Sequence, residues 1–214
     1  MAIVQNPITG RTKKKFGTAV FSKQFGKNTM RTKPIEVRNP KTLLQKQQRS
    51  KFTLMVELSR MFLGFIRIGF KQVSTSMSQF NSFMKTNIYD VITGTYPNYS
   101  IDFTKLIVTK GTLTGADEGI VTAEAGHKVS FAWTDNTGTG DAQATDKAMQ
   151  LIINYDKGAV VQDTTNKTRA DGSSQLTVPL SWVGDQVHVY LSFMTPAADR
   201  VADSTFLGTI TIVV

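Results

Sequence analysis

The chain has 214 residues, of which 40% are apolar; it holds 25 Lys and Arg, 16 Asp and Glu, and no cysteine. This size and apolar content suit one large domain or a smaller one with an extension. They exclude a chain disordered throughout, and the lack of cysteine excludes disulfides, thiolate zinc sites and cysteine nucleophiles. The net charge of +9 is divided between the ends: residues 1–72 hold 16 bases and two acids, Glu36 and Glu57, for +14, and residues 73–214 hold 9 bases and 14 acids, for −5.

Residues 1–38 read as a basic arm carrying a β-hairpin. Turn chemistry at Asn6-Pro7-Ile8-Thr9-Gly10 is followed by Lys13-Lys14-Lys15 and a predicted strand over 17–22. Gly26 and Asn28 suit a tight reversal, with 29–33 returning beside the first strand. The opening residues show no basic stretch leading into an apolar run, so no cleaved secretory signal is expected.

Residues 39–92 read as a long helical element, kinked or split in two. Asn39 is the expected N-cap, with Pro40 in the first helical position. An apolar stripe runs through Met55, Phe62, Ile66, Phe70, Val73, Met77, Phe80, Met84 and Ile88, mostly at steps of three or four, as one buried helical face requires. Gly64 and Gly69 each cost about 1 kcal/mol relative to Ala, which predicts a break near 64–71. The most apolar run, residues 61–66, is far shorter than the roughly 20 residues of a membrane-spanning helix, so no transmembrane segment is expected. An amphipathic helix lying on an anionic membrane is the membrane alternative.

Residues 93–214 change character, with Thr, Val and Gly frequent. Strands are predicted over 100–109, 128–134, 149–155, 175–179, 187–193 and 206–213. In 187–193 apolar residues alternate with mostly polar ones, the pattern of a strand with one buried face. Short strands at even spacing predict an antiparallel β-sandwich of immunoglobulin-like type. The fold class is therefore α+β in three parts, 1–38, 39–92 and 93–214, with the last boundary in Thr93-Gly94-Thr95-Tyr96-Pro97.

The candidate contact residues for nucleic acid or an acidic partner are Arg11, Lys13, Lys14, Lys15, Lys23, Lys27, Arg31, Lys33 and Arg38. Lys46 and Arg49 extend that basic surface onto the helix, where Lys41, Lys51, Arg60, Arg67 and Lys71 continue it. Lys and Arg neutralise phosphates and release counterions, and the interleaved Phe16, Phe21 and Phe25 can stack on bases. The bland reading is a solvated surface over three core phenylalanines. No signature of sequence-specific readout is present. Met55, Phe62, Ile66, Phe70, Val73, Met77 and Phe80 are the candidate packing residues between copies.

His127 and His188 are the only histidines, and neither has the companions a zinc site needs. Residues 135–146 place Asp135, Gly140 and Asp146 at the first, sixth and twelfth positions of a calcium-type loop, with Asp141 between. Thr at the third and fifth positions, where acids are expected, favours a polar loop over a metal site. No nucleophile elbow and no phosphate-cradling glycine pattern occurs, so neither enzymatic activity nor a cofactor is expected.

Several stretches resemble a family of uncharacterised Bacteroidota proteins, classed as a domain of unknown function. They are Asn6-Pro7-Ile8-Thr9-Gly10-Arg11, Gly17-Thr18-Ala19-Val20-Phe21, Arg31-Thr32-Lys33-Pro34, Asn39-Pro40-Lys41-Thr42 with Gln45 and Arg49, Phe65-Ile66-Arg67-Ile68-Gly69-Phe70 and Phe131-Ala132-Trp133-Thr134-Asp135-Asn136. The resemblance implies a two-part architecture and brings no activity and no site residues. The Asn39-Pro40-x-Thr42-x-x-Gln45 element also resembles one seen in phage structural proteins.

These features favour a structural protein that assembles as a homo-oligomer into a virion or cytoplasmic particle, its basic front facing nucleic acid or an acidic neighbour. A non-assembling nucleic-acid-binding accessory protein is the second reading. A cell-surface sandwich that binds glycans is the third.

Overall fold

The change in composition along the chain falls near a structural boundary. The computed structural model describes residues 2–3, 14–24, 26–36 and 39–214, and separates two units, Met1–Leu43 and Leu44–Val214. The first unit is an antiparallel sheet of β1 (Ala2–Ile3), β2 (Lys14–Phe16), β3 (Ala19–Gln24) and β4 (Lys27–Thr32), in the order β1-β4-β3-β2. At its centre β3 and β4 pair from Ala19↔Thr32 to Gln24↔Lys27. Gly26 has a φ of +80° in the reversal, where a side chain would be strained. The chain thus adds two further strands to the expected hairpin.

Asn39 does not open the next helix. Lys41 takes a left-handed φ of +50°, which no right-handed helical turn accommodates, and α1 (Leu43–Met61) begins two residues later. A turn at Phe62 separates it from α2 (Leu63–Gly69), and residues 70–78 are turns and bends before α3 (Gln79–Asn87). One break therefore falls at Phe62, ahead of Gly64, and a second opens at Phe70, within the expected 64–71 span. Gly69 serves a different purpose: a β-carbon there would lie 2.5 Å from Thr109 Cγ2, so its absence lets the 108–109 segment cross the helix end.

The apolar stripe is continuous only as far as the helix that carries it. Met55, Phe62, Ile66 and Phe70 are at most 1% exposed. The 70–78 loop resets the phase, and Ser78 caps α3 by accepting the Asn81 N–H at 3.2 Å. The new helix buries Phe83, Met84 and Asn87, leaving Phe80 and Met77 half-buried and Val73 exposed. Asn87 closes this helix onto the following segment, donating to Ile107 O at 3.0 Å and accepting from Ile107 N at 2.8 Å.

The expected strand over 100–109 is instead a hairpin of β5 (Ile92–Thr95) and β6 (Asn98–Ile101), then a short 3₁₀ turn, Phe103–Lys105, and extended chain. Next come β7 (Asp117–Glu124), β8 (Lys128–Thr134), β9 (Lys147–Asn154), β10 (Ala159–Asp163), β11 (Ser173–Thr177), β12 (Gln186–Met194) and β13 (Thr205–Thr211). They form two antiparallel sheets, β10-β9-β12-β13 and β11-β8-β7, packed as a β-sandwich. Val129, Phe131 and Trp133 of β8 fill the space against Ile152 of β9 and Val187, Val189, Leu191 and Phe193 of β12.

The four-stranded sheet is covered on its other face as well. Met149, Leu151, Ile153, Tyr190 and Met194 pack against Met55, Leu58, Phe62, Phe65, Phe70 and Phe83 of the helices. This corrects two expectations. The helical region shares a core with the sandwich and is not a separate part ending at residue 92. Strand β12 is also not half-buried: every residue from Val189 to Met194 is inside, because helices occupy the face that its alternation assigned to solvent.

Candidate functional site

Strand register decides which cations of the first unit act together. Directly opposed residues in antiparallel strands share a face. Lys15 opposes Val20, which opposes Arg31, and alternation along β4 puts Lys27 on that same face. All three cationic side chains are exposed. Two strand spacings separate Lys15 from Arg31 by about 10 Å, and four residues along a strand separate Arg31 from Lys27 by about 13 Å. Those spacings exceed the roughly 8 Å screening length at physiological salt, so the three add up to one diffuse positive field only as salt is lowered. Lys14 and Lys23 occupy positions on the opposite face, and Lys33, beyond β4, donates its N–H to Thr18 O at 2.7 Å. Arg11, Lys13, Phe25 and Arg38 lie outside the described residues. This unit holds ten Lys and Arg and one acid, Glu36, so it carries the whole +9, while residues 44–214 hold fifteen of each sign.

The helical cations do not form one face. Lys46, Arg49 and Arg60 are exposed on the side of α1 away from Met55, Leu58 and Phe62. Lys51 lies on the inward side instead, its Nζ 5.2 Å from the centre of the Tyr99 ring, a cation–π contact. Lys71 donates to Ala198 O at 3.0 Å. The residues expected to pack between copies are largely spent inside the chain: Met55, Phe62, Ile66 and Phe70 belong to its own core.

The three carboxylates of the calcium-type loop diverge. Asp135 accepts the Thr137 N–H at 3.0 Å. Asp141 accepts from Thr114 N and Oγ1 at 2.9 and 2.7 Å and pairs with Arg200. Those bonds, the Thr114 hydroxyl first, hold its carboxyl far below the ordinary range. Asp146 pairs with fully buried Arg169 at 3.1 Å. Among the described residues no group of three or more acidic or histidine side chains could hold a metal ion. Arg169 itself was not singled out by the sequence. It donates to Thr114 O at 2.8 Å and Gly115 O at 3.1 Å, lies 4.0 Å over the Phe193 ring, and accepts the Trp133 indole N–H on its own carbonyl at 2.8 Å. A readable signal exists: it is one of only two arginines after residue 72, and it follows Thr168, which with Asp171 makes a capping box.

A cleft in the second unit gathers chemistry that the sequence scattered. It has a volume of about 350 Å³ and is lined by Tyr99, Phe103, Tyr155, Asp156 and His188 among others. At Tyr99 it meets a second cleft of about 410 Å³ that runs along α1 past Glu57. His188 stacks on Phe103 with ring centres 3.6 Å apart and planes at 11°, and Tyr155 meets Phe103 edge-on at 5.5 Å. Tyr190 Oη donates to Phe103 O at 2.7 Å and anchors this platform. His188 Nδ1 lies 2.9 Å from Thr209 Oγ1. Burial lowers the His188 pKa below 6.5, with Asp156 opposing it; burial and then the Glu57 and Asp156 carboxylates raise that of the Tyr155 phenol. Sequence reading placed His188 on an outward strand position, but the Phe103 ring covers it. A broader, shallow groove of about 640 Å³ crosses the outer face of β11-β8-β7 over Thr122, Ser130 and Gln175.

The architecture is α+β: a β-sandwich faced with helices in the second unit, and a basic antiparallel sheet in the first. The chain belongs to the family of unknown function DUF6266, whose model matches residues 11–208. No curated protein matches it. Among solved structures it is similar to the solution structure of the fn3 domain of human collagen alpha-1(XX) chain, at 10% identity over 47% of this chain and 85% of that one, with a TM-score of 0.35. The fn3 domain of human contactin 1 is similar at 13% identity over 50% and 84%, with the same TM-score of 0.35. Among the described residues, no helix is long and apolar enough to cross a membrane.

Proposed function

We propose that this protein is a structural, self-assembling component of a virion or other particle, of capsid-like or tail-like kind, whose N-terminal sheet contacts nucleic acid or the acidic face of a neighbouring subunit. The observation that carries the reading is the common face of Lys15, Lys27 and Arg31 in a unit that holds the whole net charge. Lys and Arg on an exposed face neutralise backbone phosphates, which carry no sequence information, so the contact is sequence-nonspecific and works by counterion release. Affinity then falls steeply with salt.

The test is a fluorescence-anisotropy titration of a labelled DNA or RNA oligonucleotide at several salt concentrations. Replacing Lys15, Lys27 and Arg31 by Glu is expected to abolish binding and to leave stability within about 0.5 kcal/mol per site, as for exposed positions. Unchanged binding would remove the basis of the reading. A second reading, a non-assembling accessory protein that binds nucleic acid, is favoured by one observation: the helical stripe is enclosed in the chain's own core and leaves copies no such face to share. Light scattering at low salt separates the two, since discrete particles support the first and a monomer that retains the oligonucleotide supports the second.

A further inference from the structure

The cleft around Phe103 has the makings of a receptor for a cation. It is lined by the rings of Tyr99, Phe103 and Tyr155, with one face of Phe103 covered by His188, and aromatic rings attract positive charge through their quadrupoles. Asp156 lines it and Glu57 lines the second cleft that shares Tyr99 with it, and neither carboxylate has an ion-pair partner among the described residues. The nearby acids behave differently: Asp102 pairs with Lys105 at 3.4 Å and Asp185 with Lys157 at 2.6 Å. One end of the groove already accepts an ammonium, since Lys51 rests on the Tyr99 ring. The volume of about 350 Å³ lies at the small end of ligand sites, suited to one long side chain rather than to an extended ligand. His188, kept neutral by burial beneath Phe103, adds no opposing charge near pH 7.

The chain itself supplies a complementary surface. Residues 1–43 hold the whole positive excess, and Lys15, Lys27 and Arg31 stand exposed on one sheet face. We propose that the cleft lined by Asp156, with Glu57 in the adjoining one, receives a basic side chain from the N-terminal sheet of a second copy, joining copies head to tail. This rests on the reading of that sheet as a contact surface, and it names what the sheet contacts. The two surfaces differ, so each joined pair keeps one free sheet and one free cleft, and the contact propagates into a ring or a filament.

The experiment uses two full-length variants. In one, Glu57→Lys and Asp156→Lys reverse the cleft; in the other, Lys15→Glu, Lys27→Glu and Arg31→Glu reverse the sheet. Sedimentation velocity at about 50 mM salt, where screening is weak, reads association. The wild-type chain is expected to associate and each variant alone to stay monomeric. An equimolar mixture should associate again, because the intact sheet of one variant meets the intact cleft of the other. Should the reversed cleft fail to fold by circular dichroism, Glu57→Gln with Asp156→Asn replaces it and should weaken wild-type association at least tenfold. A monomeric wild type, a cleft variant that associates like the wild type, or a mixture that stays monomeric overturns the proposal. A wild type that retains an oligonucleotide while remaining monomeric sinks this inference alone. A mixture that pairs although no oligonucleotide is retained sinks the nucleic-acid reading alone.

Discussion

The two units use charge in opposite ways. In residues 1–43, ten bases face one acid, and the cations that can be placed are exposed and act only through their summed field. In residues 44–214 the charges balance, and Arg169 is turned inward against Asp146 in the interior, while the pairs Arg200 with Asp141 and Lys157 with Asp185 stay partly exposed. The surroundings make the difference. An exposed ion pair contributes little, because water and salt screen it, whereas a buried charge that loses its partner is costly. A basic residue therefore indicates binding in one unit and packing in the other, and residue type alone does not tell them apart.

The sharpest way to break that comparison is Arg169→Met. Leaving Asp146 buried without its partner is expected to destabilise the fold by about 3–5 kcal/mol in urea denaturation. Adding Asp146→Leu should recover part of the loss; no loss at all would mean that the pair is not a structural one. Next in size is the contrast between two phenylalanines of α3. Phe83→Ala empties a fully buried site, where it meets Phe62 and Phe70 edge-on at 5.8 and 5.6 Å, and should cost about 3–5 kcal/mol. Half-buried Phe80 should cost clearly less, and equal losses would restore the uninterrupted stripe.

Two glycines of α2 separate more finely. Gly64 is exposed, and a β-carbon there would meet only Gln162 Nε2 at an ordinary 3.8 Å, so Gly64→Ala should stabilise by up to about 1 kcal/mol through helix propensity. Gly69→Ala must push Thr109 aside and should destabilise by about 1–3 kcal/mol, read in the same assay. The smallest effect is electrostatic. Because burial lowers the His188 pKa, the unfolded chain takes up that proton first as pH falls. Its contribution to stability is complete above pH 6.5 and is lost as pH drops toward the folded-state value, so His188→Gln should flatten thermal stability against pH just below 6.5. The aspartates held low, Asp185 and Asp199 among them, lose their contribution only below 3.8.

Much of the fold was legible because it is local. The strand expected over 128–134 is β8 residue for residue, and those over 149–155, 175–179, 187–193 and 206–213 lie within two residues of β9, β11, β12 and β13 at every boundary. Strand β7 escaped notice because it opens with acids and carries a bulge between Asp117 and Ile120. The candidate cleft was not legible at all. Phe103 and His188 stack across 85 positions of sequence, and Glu57 reaches the same region from a helix.

Composition and periodicity determined by themselves the division of charge, the helical stripe as far as Phe70 and the β character of the second half, since each depends on neighbours within a few positions. Only the tertiary structure decided that β12 is covered on both faces, that α3 restarts in a new phase, that Arg169 is a core residue, and that two carboxylates line adjoining clefts that share Tyr99. Periodicity reports which residues share a face. What covers that face depends on segments brought together by folding, and no local pattern carries that information.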